Sequence, residues 1–316
     1  MNTDIIHVEV EEQVPVQSFD RQALIERFIG EKDRKETTIN QYRKTLSLFF
    51  EWVDRSGYSL NTLTRQQIIE YKRSLLNEGK SVLTVAGYLT SVSVFYRWLE
   101  AEKIYPNIAT VLSMPKRKKQ LGHIPLQTAQ VQELLSTEQR TGNLRDFAIL
   151  NLLVRTGLRT IEVVRANVED ITFRGGHRVL NVQGKGHDSK DDYVILSEKS
   201  YEPIRDYLKQ RSVYRPTDPL FVSHGHNVSG ERMTTRSISR IAKSGLRNIG
   251  LNERVYTAHS LRHTTACSIL RAGGTLEDCQ KTLRHVSVTT TQIYTEYLND
   301  ERRLERNAEA LIDNLY

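Results

Sequence analysis

The sequence predicts a mainly α protein with one small β-sheet, an α+β chain in which a helical bundle precedes a larger domain. Three observations carry this. Apolar residues recur at steps of three and four through most of the 316 residues. Residues 177–197 drop that period for short β-favouring runs around a glycine-containing turn. Between the helical stretches stands MPKRKKQLGHIP, residues 114–125, where Pro115 and Pro125 bracket four consecutive cations. Prolines interrupt regular structure and adjacent like charges keep a segment extended, so this stretch reads as a linker.

Taken in order, residues 1–17 show no stable period and are expected as a loose, flexible arm. Residues 18–113 form the bundle, with helical pieces over 19–30 and 64–78. Ile39, Tyr42, Leu46, Phe49 and Val53 make one stripe behind Thr37 and Thr38 as candidate N-caps. Val85, Leu89, Val92, Tyr96 and Leu99 make another behind Ser81 and Thr84. The aromatics Phe49, Phe50, Trp52, Phe95, Tyr96 and Trp98 are read as core rather than as a base-stacking platform. The second domain spans 126–300, with helices near 127–136, 143–155, 198–211, 234–248, 259–272, 275–284 and 288–296. A hairpin with Gly184 and Gly186 in its turn interrupts them. Over 301–316, Leu304, Ala308, Leu311 and Leu315 place an apolar stripe on a charged helix. Such a stripe needs cover, from its own domain or from another subunit.

Composition narrows the function. Hydrophobic residues make up 38% and charged residues 26%, the balance of a folded chain rather than a disordered one. No uncharged apolar run approaches the roughly 18 residues of a membrane-spanning helix. The acidic start MNTDIIHVEVEEQ lacks the basic and apolar regions of a secretory signal. Two cysteines, Cys267 and Cys279, cannot build a disulfide scaffold or a four-cysteine zinc site, so a reducing, cytoplasmic setting is expected. A net charge of +7 and a pI near 9.3 suit a polyanionic partner.

Several familiar sites are missing. No GxGxxG, GxxxxGK[ST] or GxSxG motif occurs, which removes nucleotide-cofactor and serine-hydrolase readings. His259 and His263 share a helix face at i, i+4, but Ser260 stands where a zinc protease has its glutamate, and no metal is expected. His224 and His226 flank Gly225 and read as a surface turn. What remains is an ordered set. Arg159 lies in RTGLRTIEV, where Gly157 ends one helix and Arg159 enters the next. Lys185 sits between two glycines, His259 and Arg262 are spaced H-x-x-R, and His285 precedes Tyr294 by nine residues. Singly, each is an ordinary surface, turn or capping residue.

The order R…K…HxxR…H…Y resembles the tyrosine recombinases, the phage-integrase family, and its Xer-like single-chain members above all. The matching segments are TGLR at 156–159, GKG at 184–186, HSLRHTTA at 259–266 and LRHVSVTTTQIYTEY at 283–297. Upstream, TTINQYRKTLSLFFEWV, SVLTVAGYLTSVSVFYRWL and PKRKK are similar to the family's core-binding domain and linker. The resemblance spans residues 18–300, and its specificity lies in the order and spacing of the motifs. Two departures stand out. Arg284 replaces a glycine that commonly precedes the second histidine, and Asp188, Asp191 and Asp192 occupy a turn that is often more basic. Lys190 is therefore a rival to Lys185.

The resemblance implies a site-specific DNA recombinase with an N-terminal core-binding bundle and a C-terminal catalytic domain. It implies double-stranded recombination sites as partners, a homotetramer in the synaptic complex, and accessory DNA-bending or directionality factors. It implies no metal, ATP or other cofactor, no membrane, and a nucleoid-associated place in the cytoplasm. By family position Tyr294 is the nucleophile, leaving a 3′-phosphotyrosyl bond and a free 5′-hydroxyl on the way to a Holliday junction. A phenol with a pKa near 10 is only about a thousandth ionised at pH 7, so forming its anion costs roughly 4 kcal/mol. His259 is the imidazole placed to take that proton. Arg159 and Arg262 would fork onto the phosphate oxygens, Lys185 would protonate the leaving oxygen, and His285 would bond the remaining oxygen or position Tyr294.

Lys116, Arg117, Lys118 and Lys119, with Arg43, Lys44 and Arg284, are the candidate DNA contacts. The segment 301–316 corresponds to one that such enzymes commonly pass in trans to a neighbour. Beside this reading stand a DNA topoisomerase or telomere resolvase with the same tyrosine chemistry, and a catalytically silent architectural DNA-binding protein. The target site, and the choice among integration of a mobile element, excision, inversion and dimer resolution, are not written in the residues.

Overall fold

The computed structural model describes residues 21–110, 122–184, 188–224, 230–313 and 315–316. The arm at 1–17, the cations Lys116, Arg117, Lys118 and Lys119, and Lys185 lie outside the described residues. The chain divides into two compact units, Met1–Lys118 and Lys119–Tyr316.

The first unit is helical: α1 (Arg21–Gly30), α2 (Glu36–Arg55), α3 (Arg65–Asn77) and α4 (Val82–Ala101). Local caps set two of the starts. Thr64 Oγ1 accepts from Gln66 N–H at 3.2 Å, and Ser81 Oγ accepts from Thr84 N–H at 3.2 Å. Thr37 and Thr38 do not cap α2. That helix begins at Glu36 after Lys35, which makes no side-chain cap bond, and Glu36 in the first turn suits the positive helix end instead. The apolar stripes close on one another as an aromatic core. Phe49 meets Tyr71 edge-on at 5.0 Å and Phe50 meets Phe95 at 5.7 Å between ring centroids. Phe49, Phe50, Trp52, Phe95, Tyr96 and Trp98 are all buried, so none offers a face to nucleobases.

The second unit runs α5 (Thr128–Arg140), α6 (Leu144–Thr156), α7 (Thr160–Arg165), β1 (Ile171–Arg174), β2 (His177–Val182), β3 (Asp192–Ile195) and α8 (Glu198–Arg211). It continues with α9 (Thr235–Asn248), α10 (Ala258–Arg271), α11 (Leu276–Leu283), α12 (Thr289–Arg306) and α13 (Ala310–Asp313). The sheet is antiparallel in the order β1-β2-β3, with Leu180 of β2 opposite both Ile171 and Val194. The expected hairpin is β2–β3; β1 is an additional strand. Helix α6 is the hub. Ile149, Leu150, Leu152 and Leu153 are all buried, so it is apolar nearly all round and packs against α5, α8, α9 and α10. One smaller group matters for the site: Ala266, Cys267, Cys279 and Leu283 form a satellite core with Tyr294 and Leu298.

The tail corrects the expectation of a separate helix over 301–316. Helix α12 runs unbroken from Thr289 to Arg306 and ends at Asn307, whose φ of +39° is left-handed. Glu301 belongs to this helix, and Arg271 Nη2 reaches both its carboxylate oxygens, at 2.8 and 2.9 Å. Among the described residues only the four of α13 follow as helix. No helix among the described residues is long and apolar enough to cross a membrane.

Candidate active site

The site is assembled by helix ends. Helix α6 stops at Gly157, whose φ is +62°; a Cβ there would also lie 2.6 Å from Leu283 Cδ2, so backbone and packing both favour glycine. The chain then turns into α7 with Arg159 at its N-cap and Glu162 at its third position. Glu162 Oε2 accepts from the Arg159 backbone N–H at 2.7 Å, and Oε1 accepts from the Arg159 guanidinium at 2.8 Å. A carboxylate at that position satisfies an orphan helix donor and holds the guanidinium in the same stroke. The Arg159 side chain stays about a quarter exposed while Glu162 is fully buried.

Helix α10 is capped by Thr257, which accepts from His259 N–H at 3.2 Å. His259 is thereby held exposed on the first turn, and Arg262 turns inward. The buried Arg262 guanidinium donates to the carbonyls of Gly157 and Leu283, tying the end of α6 to the end of α11. Burial, and Arg159 beside it, push its pKa down to about 9, which leaves it cationic at neutral pH.

Just past α11, Arg284 takes a left-handed conformation, and His285 follows. His285 Nδ1 lies 3.0 Å from Thr291 Oγ1 on α12, and its ring stacks near Tyr294 at 6.3 Å. Tyr294 is buried, and its hydroxyl lies 2.7 Å from His263 Nδ1. His263 and His259 both stack against His123, at 6.1 and 5.5 Å between centroids. Burial raises the Tyr294 phenol well above its usual range, and the charges of Arg262 and Arg159 only partly oppose this.

Three contributors lie outside the catalytic set read from the sequence. Glu162 carries a signal, the R-x-x-E spacing of a helix start. His263 reads from the sequence only as a metal partner of His259. His123 sits in the linker stretch and carries none. Of the candidate DNA contacts, Arg43 is clamped by Glu26 through two bonds of 2.9 Å, and Lys44 is exposed. Arg284 is not a surface cation: its side chain is 6% exposed and its guanidinium reaches Glu162 Oε2 at 2.6 Å. Lys190 is engaged too, with Nζ 2.5 Å from Asp170 Oδ2.

The imidazoles carry a stability prediction. Burial, then the neighbouring histidines and Arg262, lower His263 from 6.5 to about 3; burial, then Arg262 and the other arginines, lower His285 to about 4. The unfolded chain therefore takes up protons near pH 6.5 that the folded chain refuses, and stability present above 6.5 drains away as pH falls towards 4. The thermal midpoint should drop across that window, and His285→Gln should flatten the drop. A midpoint independent of pH there would contradict these environments.

A buried phenol held by imidazoles, beside two fixed guanidinium groups, is a site for charge compensation and proton transfer at one tyrosine oxygen. Residues 125–301 match the phage integrase family, and residues 22–103 match the phage integrase N-terminal SAM-like domain. Tyrosine recombinase XerD of Vibrio cholerae serotype O1 is 31% identical over 297 residues, 90% of this chain and 95% of that protein. Tyrosine recombinase XerC of Pelobacter propionicus is 34% identical over 209 residues, 66% of each chain. Among solved structures, XerH recombinase bound to palindromic difH substrate, a post-cleavage complex, has a TM-score of 0.72 at 23% identity, covering 86% of this chain and 79% of its own. The Tn1549 transposon integrase with transposon right end DNA has a TM-score of 0.67 at 19% identity, covering 91% and 98%. At those identities the structures share the fold. The chain belongs to the phage integrase family, the DNA strand-transferring tyrosine recombinases.

Proposed function

We propose that the protein is a site-specific DNA recombinase that cuts and rejoins strands through a 3′-phosphotyrosyl intermediate, with Arg159, Lys185, His259, Arg262, His285 and Tyr294 as its catalytic set. The observation that carries this is that Arg262 ties Gly157, two residues before Arg159, to Leu283, two residues before His285, whose ring lies 6.3 Å from that of Tyr294. In the first step the Tyr294 oxygen bonds to phosphorus as the bond to the 5′-oxygen breaks. Negative charge gathers on the two non-bridging oxygens, and guanidinium groups that stay charged and fork onto them are worth about 3–4 kcal/mol each. The Tyr294 proton must leave as the bond forms. His263 Nδ1 lies 2.7 Å from the buried phenol, and DNA docking would turn the phenol towards the exposed His259. The phosphotyrosyl bond keeps the phosphodiester energy, so rejoining needs no ATP.

Lys185 would protonate the leaving 5′-oxygen. The engagement of Lys190 with the buried Asp170 supports this choice over its rival. Lys185→Ala should cleave ordinary DNA poorly and recover on a substrate whose bridging 5′-oxygen is sulfur, because a thiolate leaves without a proton. Lys190→Ala should show neither effect; the reverse pattern would move the role.

Phosphate contacts from Lys116, Arg117, Lys118, Lys119 and Lys44 would supply affinity that falls steeply with salt. In this reading four copies of the chain assemble on paired double-stranded sites at the nucleoid, with accessory bending or directionality factors setting the outcome. The test is exchange itself. Plasmids bearing two target sites should emerge recombined through a four-way junction. Relaxation of unrelated supercoils without exchange would overturn the recombinase reading in favour of a topoisomerase.

A further inference from the structure

Arg284 is held where a side chain is costly. Its φ of +54° and ψ of 52° are left-handed, a conformation that glycine adopts without strain and other residues avoid. What keeps an arginine there is visible. Nη2 donates to Glu162 Oε2 at 2.6 Å and Nη1 to the Thr282 carbonyl at 2.7 Å. Nε is buried with no hydrogen-bond partner among the described residues, and Asp192 Oδ2 stands 3.8 Å from it. Glu162, fully buried, thus lies between two guanidinium groups: Oε1 receives Arg159, and Oε2 receives the Arg159 backbone N–H together with Arg284. Burial pushes this carboxyl up, yet the charge of Arg284, and after it the contacts with Arg159, hold it below its ordinary range.

The charge count gives the consequence. Arg159 and Glu162 alone sum to zero, so a phosphate approaching Arg159 meets a cation already matched by a buried anion. With Arg284 the trio carries one net positive charge, and one carboxylate oxygen is taken. The Asp192 side chain, 3.8 Å from Arg284, is 42% exposed and its charge is screened by solvent, whereas that of Glu162 is not. We propose that Arg284 is a positioning residue for cleavage, which offsets and orients Glu162 so that the charge of Arg159 is free to act on the scissile phosphate. The proposal rests on the recombinase reading above, because it needs a phosphate at Arg159.

The test is single-turnover cleavage at saturating DNA, on a nicked substrate that traps the covalent adduct, with DNA affinity and thermal midpoint measured alongside. Arg284→Gly relieves the left-handed strain and should fold. Its cleavage rate should fall about tenfold, less than the roughly hundredfold loss of a direct donor, while Kd stays within about twofold. Arg284→Lys should recover most of the rate, since the charge returns. Glu162→Gln combined with Arg284→Gly should cleave faster than Arg284→Gly alone, because the anion that neutralises Arg159 is gone. A parental rate in Arg284→Gly would overturn the proposal, whether the midpoint changed or not. So would a weakened Kd with an unchanged saturating rate, which would make Arg284 a DNA contact, and so would a double variant slower than the single. Failure of the parent to form any adduct would instead overturn the recombinase reading.

Discussion

Tyr294→Phe is expected to abolish covalent adduct formation while DNA binding persists. The substitution removes one oxygen and leaves the ring, so the satellite core of Ala266, Cys279, Leu283 and Leu298 keeps its filling. What it takes away locally is the partner of His263 Nδ1. A buried group left without a hydrogen bond costs about 1–3 kcal/mol, so a modest fall in thermal midpoint should accompany the loss of chemistry. Thr291, the hydroxyl that His285 contacts, is occupied by that bond. The parent should still form adducts in excess EDTA, since Arg159 and Arg262 compensate the phosphate charge. Adducts formed by Tyr294→Phe, or cleavage lost with the chelator, would sink the assignment.

Much of this architecture was legible because it is local. The period of Val85, Leu89, Val92, Tyr96 and Leu99 determines which face of α4 is buried, whatever it packs against. Gly157 had to end a helix before Arg159, and it does. The illegible parts depend on tertiary partners. Strand β1 has four residues, ITFR, with Phe173 exposed; its pairing to β2 defines it, rather than its own alternation. Arg43 looks like any surface cation until α1 brings Glu26 against it. Arg284 reads as an added charge beside the site, yet the fold buries that charge on Glu162, 122 residues away in the chain. His263 meets Tyr294 only because α12 lies across α10, a packing that no spacing within HSLRHTTA reveals.

Removal of residues 307–316 should leave single-site DNA binding within about twofold of the parent and lower exchange between two sites by about tenfold or more. The cut belongs after Arg306. Glu301 is tied to Arg271 within its own unit, so an earlier truncation would damage the catalytic unit itself. Beyond that anchor the apolar side chains lack cover: Leu311 is 67% exposed and Leu315 76% exposed. Fully burying a leucine is worth about 1.5–3 kcal/mol, and tenfold in an equilibrium is about 1.4 kcal/mol. Two such residues seated on a neighbouring subunit would therefore decide whether a tetramer holds. They would also join the helix that carries Tyr294 in one copy to the catalytic unit of the next, a physical link by which two subunits cut while two wait. Because the segment would act in trans, tailless subunits mixed with full-length Tyr294→Phe subunits should regain some cleavage: the first supply the nucleophile and the second the tail. Unimpaired exchange by the truncated protein, with normal tetramers, would show that residues 307–316 serve only their own chain.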